Sequence, residues 1–433
     1  ILSETSALAL TKAGVGNLTL TAVHTFTGHT TISAGDVIVG GSGQLGSGSY
    51  GGAISLASGS TLSFGSSVSQ TLSGMISGDG DVEKVTSAAS TLTLSGDNTY
   101  TGGTNVSAGY LQSGSSSGAS PPTSGPFGTA TVTVASGAVL DVNGQTVGNA
   151  INLSGTGISE NGALINSHAT AATISGDITL AAHTSVGGAH AVTLSGAISG
   201  TGINFTKVGA STYTLSNTNT YTGDTTISAG TLTVTGTLSD STDVAVSSGA
   251  TYKLEVSDTI GSISGAGTVR VGDDFSFDAV VLTVDHSIAK TFSGNLIIPS
   301  GMDAHGFVKH GSGTLTLTTA NTDAYGDITV TGGVLSITHN DALGNTTTTV
   351  NSGAALHLSN NITVYAGIRL NGSGVSSNGA LRNVSGSNTL TQWLLLGTDT
   401  EIQVDSGSSL AISPTDHYSS AITGTYVGNN RHL

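Results

Sequence analysis

The sequence predicts an all-β protein, a parallel β-solenoid in which short strands coil around one core. Three observations carry this prediction. Apolar residues alternate with Thr and Ser over short runs, which is the period of a β-strand. Gly, Asn and Asp turn signals separate these runs about every eight to twelve residues. One segment of about thirty residues recurs along the chain, which is typical of repeat architectures because a single unit cannot bury its own apolar face.

We call the recurring segment the module. Its four copies are Thr11–Val39, Glu83–Gln112, Thr206–Val234 and Val308–Ile337. Each copy starts with a turn at a lysine and continues as an alternating strand and an Asn-rich turn. A short segment that contains an aromatic residue, which we call the aromatic step, and two further strands follow. In the third copy, Thr212–Leu215 would turn Tyr and Leu to one side and Thr to the other. Stacking would bury these apolar columns between rungs, the single coils of the chain.

The chain is predicted to form one continuous solenoid over residues 1–433, without an internal domain boundary. The stretches between modules also repeat, since Phe127–Val142 resembles Leu343–Leu358. Roughly 20–25 residues per rung and about 4.8 Å between rungs would give about 17–22 rungs and a rod of about 80–105 Å. The strands predicted from alternation are Leu18–Thr21, Thr91–Leu94, Thr131–Val134, Ala138–Val142, Thr231–Val234, Thr314–Leu317, Thr348–Val350 and Ala354–Leu358.

The composition favours a folded chain with a core of small residues. Glycine occurs 64 times, charged residues make up 8% and aromatic residues 4%, so the high charge of a disordered chain is missing. The absence of cysteine excludes disulfides, thiol catalysis and thiolate metal sites. The net charge is −16 with ten Lys and Arg in no basic cluster, which argues against nucleic acid as a partner.

No membrane insertion of this segment is predicted, because no run approaches the about 18–20 apolar residues of a membrane helix. The sequence opens at Ile1 without the basic stretch of a signal peptide. If the protein is exported, we expect this sequence to be its mature form.

The module resembles the passenger-associated transport repeat, also called the autotransporter-associated β-strand repeat. That repeat has a Lys-x-Gly start, an L-x-L-x strand, N-x-Y-x-G and then T-x-I-x-x-G-x-L. The third copy matches it at Lys207–Gly209, Asn219–Gly223 and Thr226–Leu232. The first copy departs from it at His24–Phe26, and the fourth departs at Asp323–Gly326.

The resemblance implies a single right-handed parallel β-helix, located outside the cell or on a bacterial cell surface. It does not specify an activity, because family members include adhesins, proteases and pure scaffolds.

Signals for catalysis and metal binding are weak. Residues Gly114–Gly118 match G-x-S-x-G, but a nucleophile elbow needs a strand, a turn and a helix, and this stretch is rich in Gly, Ser and Pro. The pairs His183/His190 and His305/His310 lack a nearby set of carboxylates, so solvated turns are favoured over metal ligands.

The acidic pairs Asp79/Asp81 and Asp273/Asp274 are interpreted as polar turns, because calcium prefers several oxygen ligands and no calcium-binding nonapeptide is present. Trp393 is the only tryptophan and lies in an apolar stretch, where packing is favoured over sugar stacking. We therefore predict a protein that is not an enzyme and has no catalytic residue, no metal ligand, no cofactor-binding residue and no cofactor.

The module lysines, Lys12, Lys84, Lys207 and Lys309, are the most regular charges in the chain. We interpret them as structural residues that bind carbonyl groups or a neighbouring acid at a rung corner. A shared role in ligand binding is the alternative.

The segment Ser113–Pro126 contains three of the five prolines. Because proline cannot donate a hydrogen bond to a strand ladder, we predict that residues 113–126 leave the solenoid wall as a flexible loop excursion.

The two ends of the sequence predict self-association. Ser420–His432 resembles Ser195–Lys207, so a fifth module would be due where the sequence stops, and Leu8–Gly14 is the start of one. An uncapped solenoid end presents a rung of unpaired backbone groups. We therefore expect copies to stack head to tail through their ends, or the segment Ile1–Leu10 to add to a neighbouring copy as a strand.

The first functional hypothesis is a non-catalytic extracellular structural protein, a rod that stacks into a surface fibre. The second is an autotransporter passenger acting as an adhesin, with surface or matrix glycans as partners of loops such as residues 113–126. The third is a β-helix carbohydrate-active enzyme. It is disfavoured, since ten basic residues spread over the chain do not build a charged cleft.

Overall fold

The computed structural model describes residue 2, residues 7–85, 90–118, 120–274, 278–300 and 305–413, and the backbone of 422–424. The chain divides into two compact units, Ile1–Gly223 (unit 1) and Asp224–Leu433 (unit 2). In each unit, short strands pair in parallel with strands from the preceding and following rungs. The predicted all-β parallel solenoid is therefore confirmed in both units.

Unit 1 contains strands β1–β24. In chain order they span Leu10–Lys12, Leu18–Leu20, Thr30–Ile32, Val37–Gly41, Ser49–Tyr50, Ile54–Leu56, Thr61–Ser66, Gln70–Leu72, Ile76–Gly78, Asp81–Lys84, Thr91–Leu94, Thr104–Val106, Gly109–Ser113, Val132–Val134, Ala138–Asp141, Thr146–Val147, Ile151–Gly155, Leu164–Asn166, Ala172–Ile174, Ile178–Gly188, Val192–Leu194, Ile198–Ser199, Phe205–Lys207 and Thr212–Leu215.

Unit 2 contains strands β25–β48. In chain order they span Thr225–Ile227, Thr231–Val234, Asp243–Val246, Thr251–Leu254, Asp258–Ile260, Ser262–Gly265, Thr268–Val271, Val281–Asp285, Lys290–Phe292, Asn295–Ile297, Gly306–His310, Thr314–Leu317, Asp327–Val330, Val334–Ile337, Thr347–Val350, Ala355–Leu358, Thr363–Val364, Gly367–Gly372, Leu381–Asn383, Ser387–Leu390, Leu394–Thr400, Ile402–Val404, Ser409–Ile412 and Ile422–Gly424.

Helical structure in the described ranges is limited to three short 3₁₀ turns, Gly46–Gly48, Ile158–Glu160 and Val375–Ser377. Among these residues, no helix has the length and apolar character needed to cross a membrane. All eight strands predicted from alternation are present, each within one residue of its predicted bounds.

In unit 1, consecutive rungs stack in register. Leu10 lies opposite Thr30, Thr30 opposite Ile54, and Ile54 opposite Ile76. Each step covers about 20–25 residues, the rung length expected of a solenoid. Because a parallel register keeps equivalent side chains on one face, the inward residues form columns, as the burial of Ile54 and Ile76 illustrates.

Unit 2 follows the same rule. Leu335 lies opposite Leu356, which lies opposite Leu381, and all three are fully buried. A second wall of this unit consists of β37, β39, β42 and β45, which pair in that order. This second wall carries the site described below.

The period-2 alternation decides which residues enter the core. In β24, Tyr213 and Leu215 are fully buried while Thr212 is exposed. In β26, Leu232 and Val234 are fully buried. The apolar members of each strand therefore face inward, as the sequence predicted.

The proline-rich segment that follows β13 is attached to the wall at two points. The backbone N–H of Ser117 donates to the carbonyl of Thr146 at 2.9 Å. Gly125 and Asn98 exchange two backbone hydrogen bonds, each of 3.0 Å. The segment is therefore joined to neighbouring rungs at Ser117 and at Gly125, and the predicted flexible excursion of residues 113–126 stays a prediction.

Candidate functional site

The module lysines are interior residues, each with at most 8% of its surface exposed. Lys309 Nζ donates to the carbonyls of the next two residues at 2.5 and 3.0 Å and to Gly332 O at 3.2 Å. Lys207 Nζ donates to the next two carbonyls at 2.8 Å each. Lys12 repeats this arrangement and also reaches Ala34 O at 2.7 Å. Backbone carbonyls, the partners expected from the sequence, therefore solvate these ammonium groups.

The Lys-x-Gly start of the module has a geometric reason. Gly14, Gly209 and Gly311 have φ of 76°, 72° and 75°, a left-handed conformation that glycine adopts at little cost. This turn presents two consecutive carbonyls to the lysine that precedes it. The second copy has threonine instead of glycine at this place, and Lys84 Nζ donates to Val85 O at 3.5 Å.

Burial changes the acidity of these lysines. Desolvation lowers the pKa of Lys84, Lys207 and Lys309 to about 8, because taking an ammonium out of water disfavours its charged form. Aromatic rings recover part of that cost by a cation–π interaction. Lys84 Nζ lies 5.8 Å from the Phe64 ring centroid, and Lys207 Nζ lies 5.4 Å from that of Tyr213.

The central serine of the G-x-S-x-G match, Ser116, is hydrogen-bonded to a neighbouring rung. The Ser116 hydroxyl donates to the side-chain oxygen of Gln145 at 2.9 Å and accepts from Thr146 N at 3.0 Å. An amide oxygen cannot act as a general base in the manner of histidine. Ser116 therefore joins the loop to a neighbouring rung.

Three of the four histidines considered as metal ligands form hydrogen bonds to neighbouring residues through their rings. His183 accepts from Asn204 N at 2.9 Å, and the exposed His310 bonds the Thr331 hydroxyl. His305 is only 1% exposed and accepts from Val280 N at 3.0 Å. The prediction of a solvated turn was therefore wrong for His305, which fills an interior corner.

The acidic pairs bind neighbouring rungs and basic side chains. Asp79 accepts from the Thr101 hydroxyl at 2.7 Å. Asp273 forms an ion pair with Lys253 at 2.9 Å, and Asp274 forms one with Arg270 at 2.8 Å. Over the described ranges, no group of three or more His, Asp or Glu side chains is placed to hold a metal ion.

An open groove of about 560 Å³ lies on the wall of unit 2 formed by β37, β39, β42 and β45. We call it the aromatic groove. Its lining consists of three aromatic residues, small hydroxyl and amide residues, and one carboxylate. The lining residues are Tyr325, Asp327, Asn345, Thr346, Thr347, Tyr365, Gly367, Gln392 and Trp393.

The groove has two columns that follow the strand register. Ile328 lies opposite Thr348, Thr347 opposite Gly367, and Ile368 opposite Leu394. The first column therefore consists of Asp327, Thr347, Gly367 and Trp393, because Asp327 precedes Ile328 and Trp393 precedes Leu394. A second column, two residues earlier on each rung, contains Tyr325, Asn345 and Tyr365.

The missing side chain of Gly367 makes room for the indole of Trp393. A Cβ at position 367 would lie 2.4 Å from two carbon atoms of the ring, closer than any normal contact. The indole thus lies across the backbone of the preceding rung and remains half-buried. The sequence favoured packing over sugar stacking for Trp393. The indole does pack against the backbone at Gly367, and it also lines the groove.

The fourth module differs from the second at its aromatic step. In the second copy, Tyr100 follows Asn98 by two residues and is fully buried. In the fourth copy, one more residue stands after Asn321, so Ala324 fills the buried position. Tyr325 then emerges on the wall with 48% of its surface exposed.

The asparagine that precedes this step keeps its role in both copies. The Asn98 side chain accepts from Ile76 N at 2.7 Å and donates to a backbone carbonyl at 2.7 Å. The Asn321 side chain accepts from Leu296 N at 2.8 Å and donates to a carbonyl at 2.7 Å. The hydrogen-bonding framework of the asparagine is therefore the same in both copies. Only the aromatic residue differs, since it is buried in the second copy and exposed in the fourth.

The fold and this site define a parallel β-solenoid repeat protein with an exposed aromatic groove. Four segments of the chain match the family model described as the passenger-associated transport repeat, at residues 10–39, 89–112, 205–234 and 307–337. The chain therefore carries four of these repeats, and the resemblance predicted from its sequence is confirmed.

Over 225 residues, the chain is 34% identical to the adhesin BmaC autotransporter of Brucella suis biovar 1 (strain 1330). The aligned part makes up 48% of this chain and 6% of that protein, so the match concerns a small fraction of the relative. No solved structure matches the chain.

Sequence reasoning missed the groove because its residues are far apart in the chain. The signal that could have indicated it was the departure of the fourth module at Asp323–Gly326. Read from the sequence alone, that departure indicates only that the fourth copy matches the repeat less closely than the third. Tyr365, which lies between modules, carries no comparable signal.

Proposed function

We propose that this chain is a non-catalytic passenger segment, displayed on a bacterial surface or secreted, that takes part in adhesion. The observation that carries the proposal is the similarity over 225 residues to a protein named as an autotransporter adhesin, in a chain with four passenger-associated transport repeats. A right-handed solenoid that is continuous through both units belongs to this proposal.

The structure supports a scaffold role for most of the chain. Its cores are formed by short, regular strands, and the serine, histidine and aspartate motifs considered for chemistry are used in structural hydrogen bonds and ion pairs. The aromatic groove is a feature of the described wall of unit 2 that is suited to contact another molecule.

The comparisons favour adhesion over the fibre subunit that the sequence placed first. Head-to-tail stacking remains a prediction, because Ser420–His432 lies outside the described residues apart from the backbone of 422–424. Electron microscopy of the purified chain checks it, since rods of a single length at high protein concentration would contradict stacking.

The test of adhesion is retention of beads that carry the folded chain on cultured epithelial cells and on matrix-coated surfaces. A control bead carries a protein of similar size and negative charge, because a chain with net charge −16 could interact by charge alone. Retention well above the control is expected. Equal retention of both beads on all surfaces would overturn the proposal.

A further inference from the structure

We propose that the aromatic groove binds an uncharged, linear oligosaccharide that lies along the stack of rungs. This inference deepens the proposed function and rests on it for its biological meaning, while the binding itself can be tested separately. Two of the lining residues, Tyr325 and Asp327, belong to the fourth copy of the module, and the others follow it in the sequence, so the groove lies outside the loop at residues 113–126.

The first argument is the exposure of the aromatic rings. Aromatic residues make up only 4% of the chain, and the large rings of the modules, such as Tyr100 and Tyr221, are fully buried. Tyr325 and Tyr365 are 48% and 49% exposed and lie beside the single tryptophan. Exposing three rings on one wall leaves apolar surface in water, which a bound partner would cover.

The second argument is the mixture of ring faces and hydrogen-bonding groups. A pyranose presents C–H bonds on its flat faces and hydroxyl groups around its rim. The negative face of an aromatic ring attracts such C–H groups, while the Asp327 carboxylate and the Asn345 and Gln392 amides can bind hydroxyls. Pockets that combine apolar walls with a few polar groups are typical of small-ligand sites.

The third argument is the spacing of the rings. Tyr325 and Tyr365 occupy one column and are separated by two rungs, or about 10 Å at the strand spacing. Trp393 lies one further rung along the wall, in the neighbouring column. A chain of sugars that runs along the stacking direction could therefore contact each ring with a different residue.

The fourth argument is charge. The one carboxylate in the lining is that of Asp327, and the lining contains no Lys, Arg or His. Sulfated or uronic acid sugars and nucleic acids would meet a negative group without a compensating cation. The groove therefore favours an uncharged glycan.

The fifth argument excludes a peptide that adds as a strand. Binding by strand addition needs an unpaired sheet edge. The strands β39 and β42 under the groove are paired on both sides, with β37 and β45 as the outer partners. Recognition at this wall therefore depends on side chains.

The experiment uses the intrinsic fluorescence of the full chain, because its only tryptophan lies in the groove. The probes are cellohexaose, chitohexaose, mannohexaose and laminarihexaose, with hexagalacturonate and a heparin hexasaccharide as anionic counterparts. We expect at least one neutral probe to shift or quench the emission of Trp393 saturably, and both anionic probes to have no effect.

Variants separate the site from non-specific binding. Tyr325→Ala and Tyr365→Ala should each weaken binding about tenfold, since each removes an exposed ring that would contact one sugar. Gly367→Val should abolish the signal, because its side chain displaces the indole. Tyr110→Ala, a half-buried tyrosine in unit 1, is the matched control and should bind like the parent.

The inference is overturned if no neutral probe changes the fluorescence, if only anionic probes bind, or if Tyr325→Ala and Tyr365→Ala bind as tightly as the parent. Bead adhesion without sugar binding would reject this inference and leave the proposed function standing. Sugar binding without bead adhesion would keep the inference and reject the function. Circular dichroism of each variant shows whether its fold is intact.

Discussion

The second module, in unit 1, and the fourth module, in unit 2, share a buried lysine and a buried asparagine but differ in where they place a tyrosine. Tyr100 is fully buried, whereas Tyr325 is 48% exposed. One extra residue before the aromatic step accounts for the difference, because Ala324 then occupies the interior position. The comparison teaches that a repeat can gain a contact surface at one rung while its hydrogen-bonding framework stays unchanged.

The largest effect should come from truncating the buried tyrosine, and truncating the exposed one should have little effect. Tyr100→Ala removes a fully buried ring and its 2.5 Å hydrogen bond with Thr104, so we expect it to lower the free energy of unfolding by about 3–5 kcal/mol. Tyr325→Ala should change it by no more than about 0.5 kcal/mol. Urea unfolding followed by circular dichroism measures the free energy of unfolding of both variants. Equal losses would contradict the conclusion that the two tyrosines occupy different environments.

The shared asparagines should behave alike. Asn98→Ala and Asn321→Ala each leave one buried backbone N–H and one buried carbonyl without a side-chain partner. We expect each to destabilise its unit by about 2–3 kcal/mol, because unsatisfied buried groups carry a desolvation penalty. Asn345→Ala, at an exposed position, is the control. A clearly smaller effect at Asn321 than at Asn98 would show that the framework is not conserved between the modules.

The buried lysines predict a rise in stability on the alkaline side. Their folded pKa of about 8 lies below the ordinary value near 10.4, so the unfolded chain binds more protons between these values. The free energy of unfolding should therefore rise by about 2 kcal/mol per lysine from pH 8 to pH 10.

Above about pH 10 the trend should reverse. Burial raises the pKa of Tyr100 and Tyr213 above its usual range, and the stability this provides is lost once the unfolded tyrosines ionise. The urea concentration at the midpoint of unfolding, measured across this pH range, tests both the rise in stability and its reversal. Lys207→Met should flatten the rise in unit 1, and a variant with an unchanged slope would contradict the assignment to buried lysines.

The smallest effect should be that of Asp327→Asn in the groove. Asp327 is exposed, so the free energy of unfolding should change by no more than about 0.5 kcal/mol. Removing the carboxylate should allow weak binding of hexagalacturonate, because the repulsion between like charges is gone. The titration of Trp393 fluorescence measures this gain. Continued exclusion of the anionic probe would mean that shape, and not charge, selects the ligand.

The sequence predicted the repeating part of the structure well. Alternation predicted the strands, and the regular recurrence of the module lysines indicated structural residues that bind carbonyl groups or a neighbouring acid. Tyr213 and Leu215 could be assigned to the core because a strand has a fixed period of two. These features are local, so they can be read from a few consecutive residues.

The aromatic groove could not be predicted in this way. Tyr325, Tyr365 and Trp393 are brought onto one wall only by the pairing of Ile328 with Thr348, Thr348 with Ile368 and Ile368 with Leu394, residues that are distant in the chain. A difference of one residue in any of the turns between these strands would move a side chain to the other face of the wall. His305 was misassigned for a related reason, since its burial depends on Gly272 of another rung, where an added Cβ would lie 2.6 Å from the imidazole.

The interior position of the module lysines also determines how the chain meets proteases. Four of its six lysines are buried, and the other two, Lys253 and Lys290, are engaged in ion pairs with acidic side chains. An enzyme that cleaves after lysine needs an extended, accessible segment in its own active site. In this chain, most of the lysines that such a protease recognises point into the core from paired strands. Cleavage after them therefore requires local unfolding of a rung.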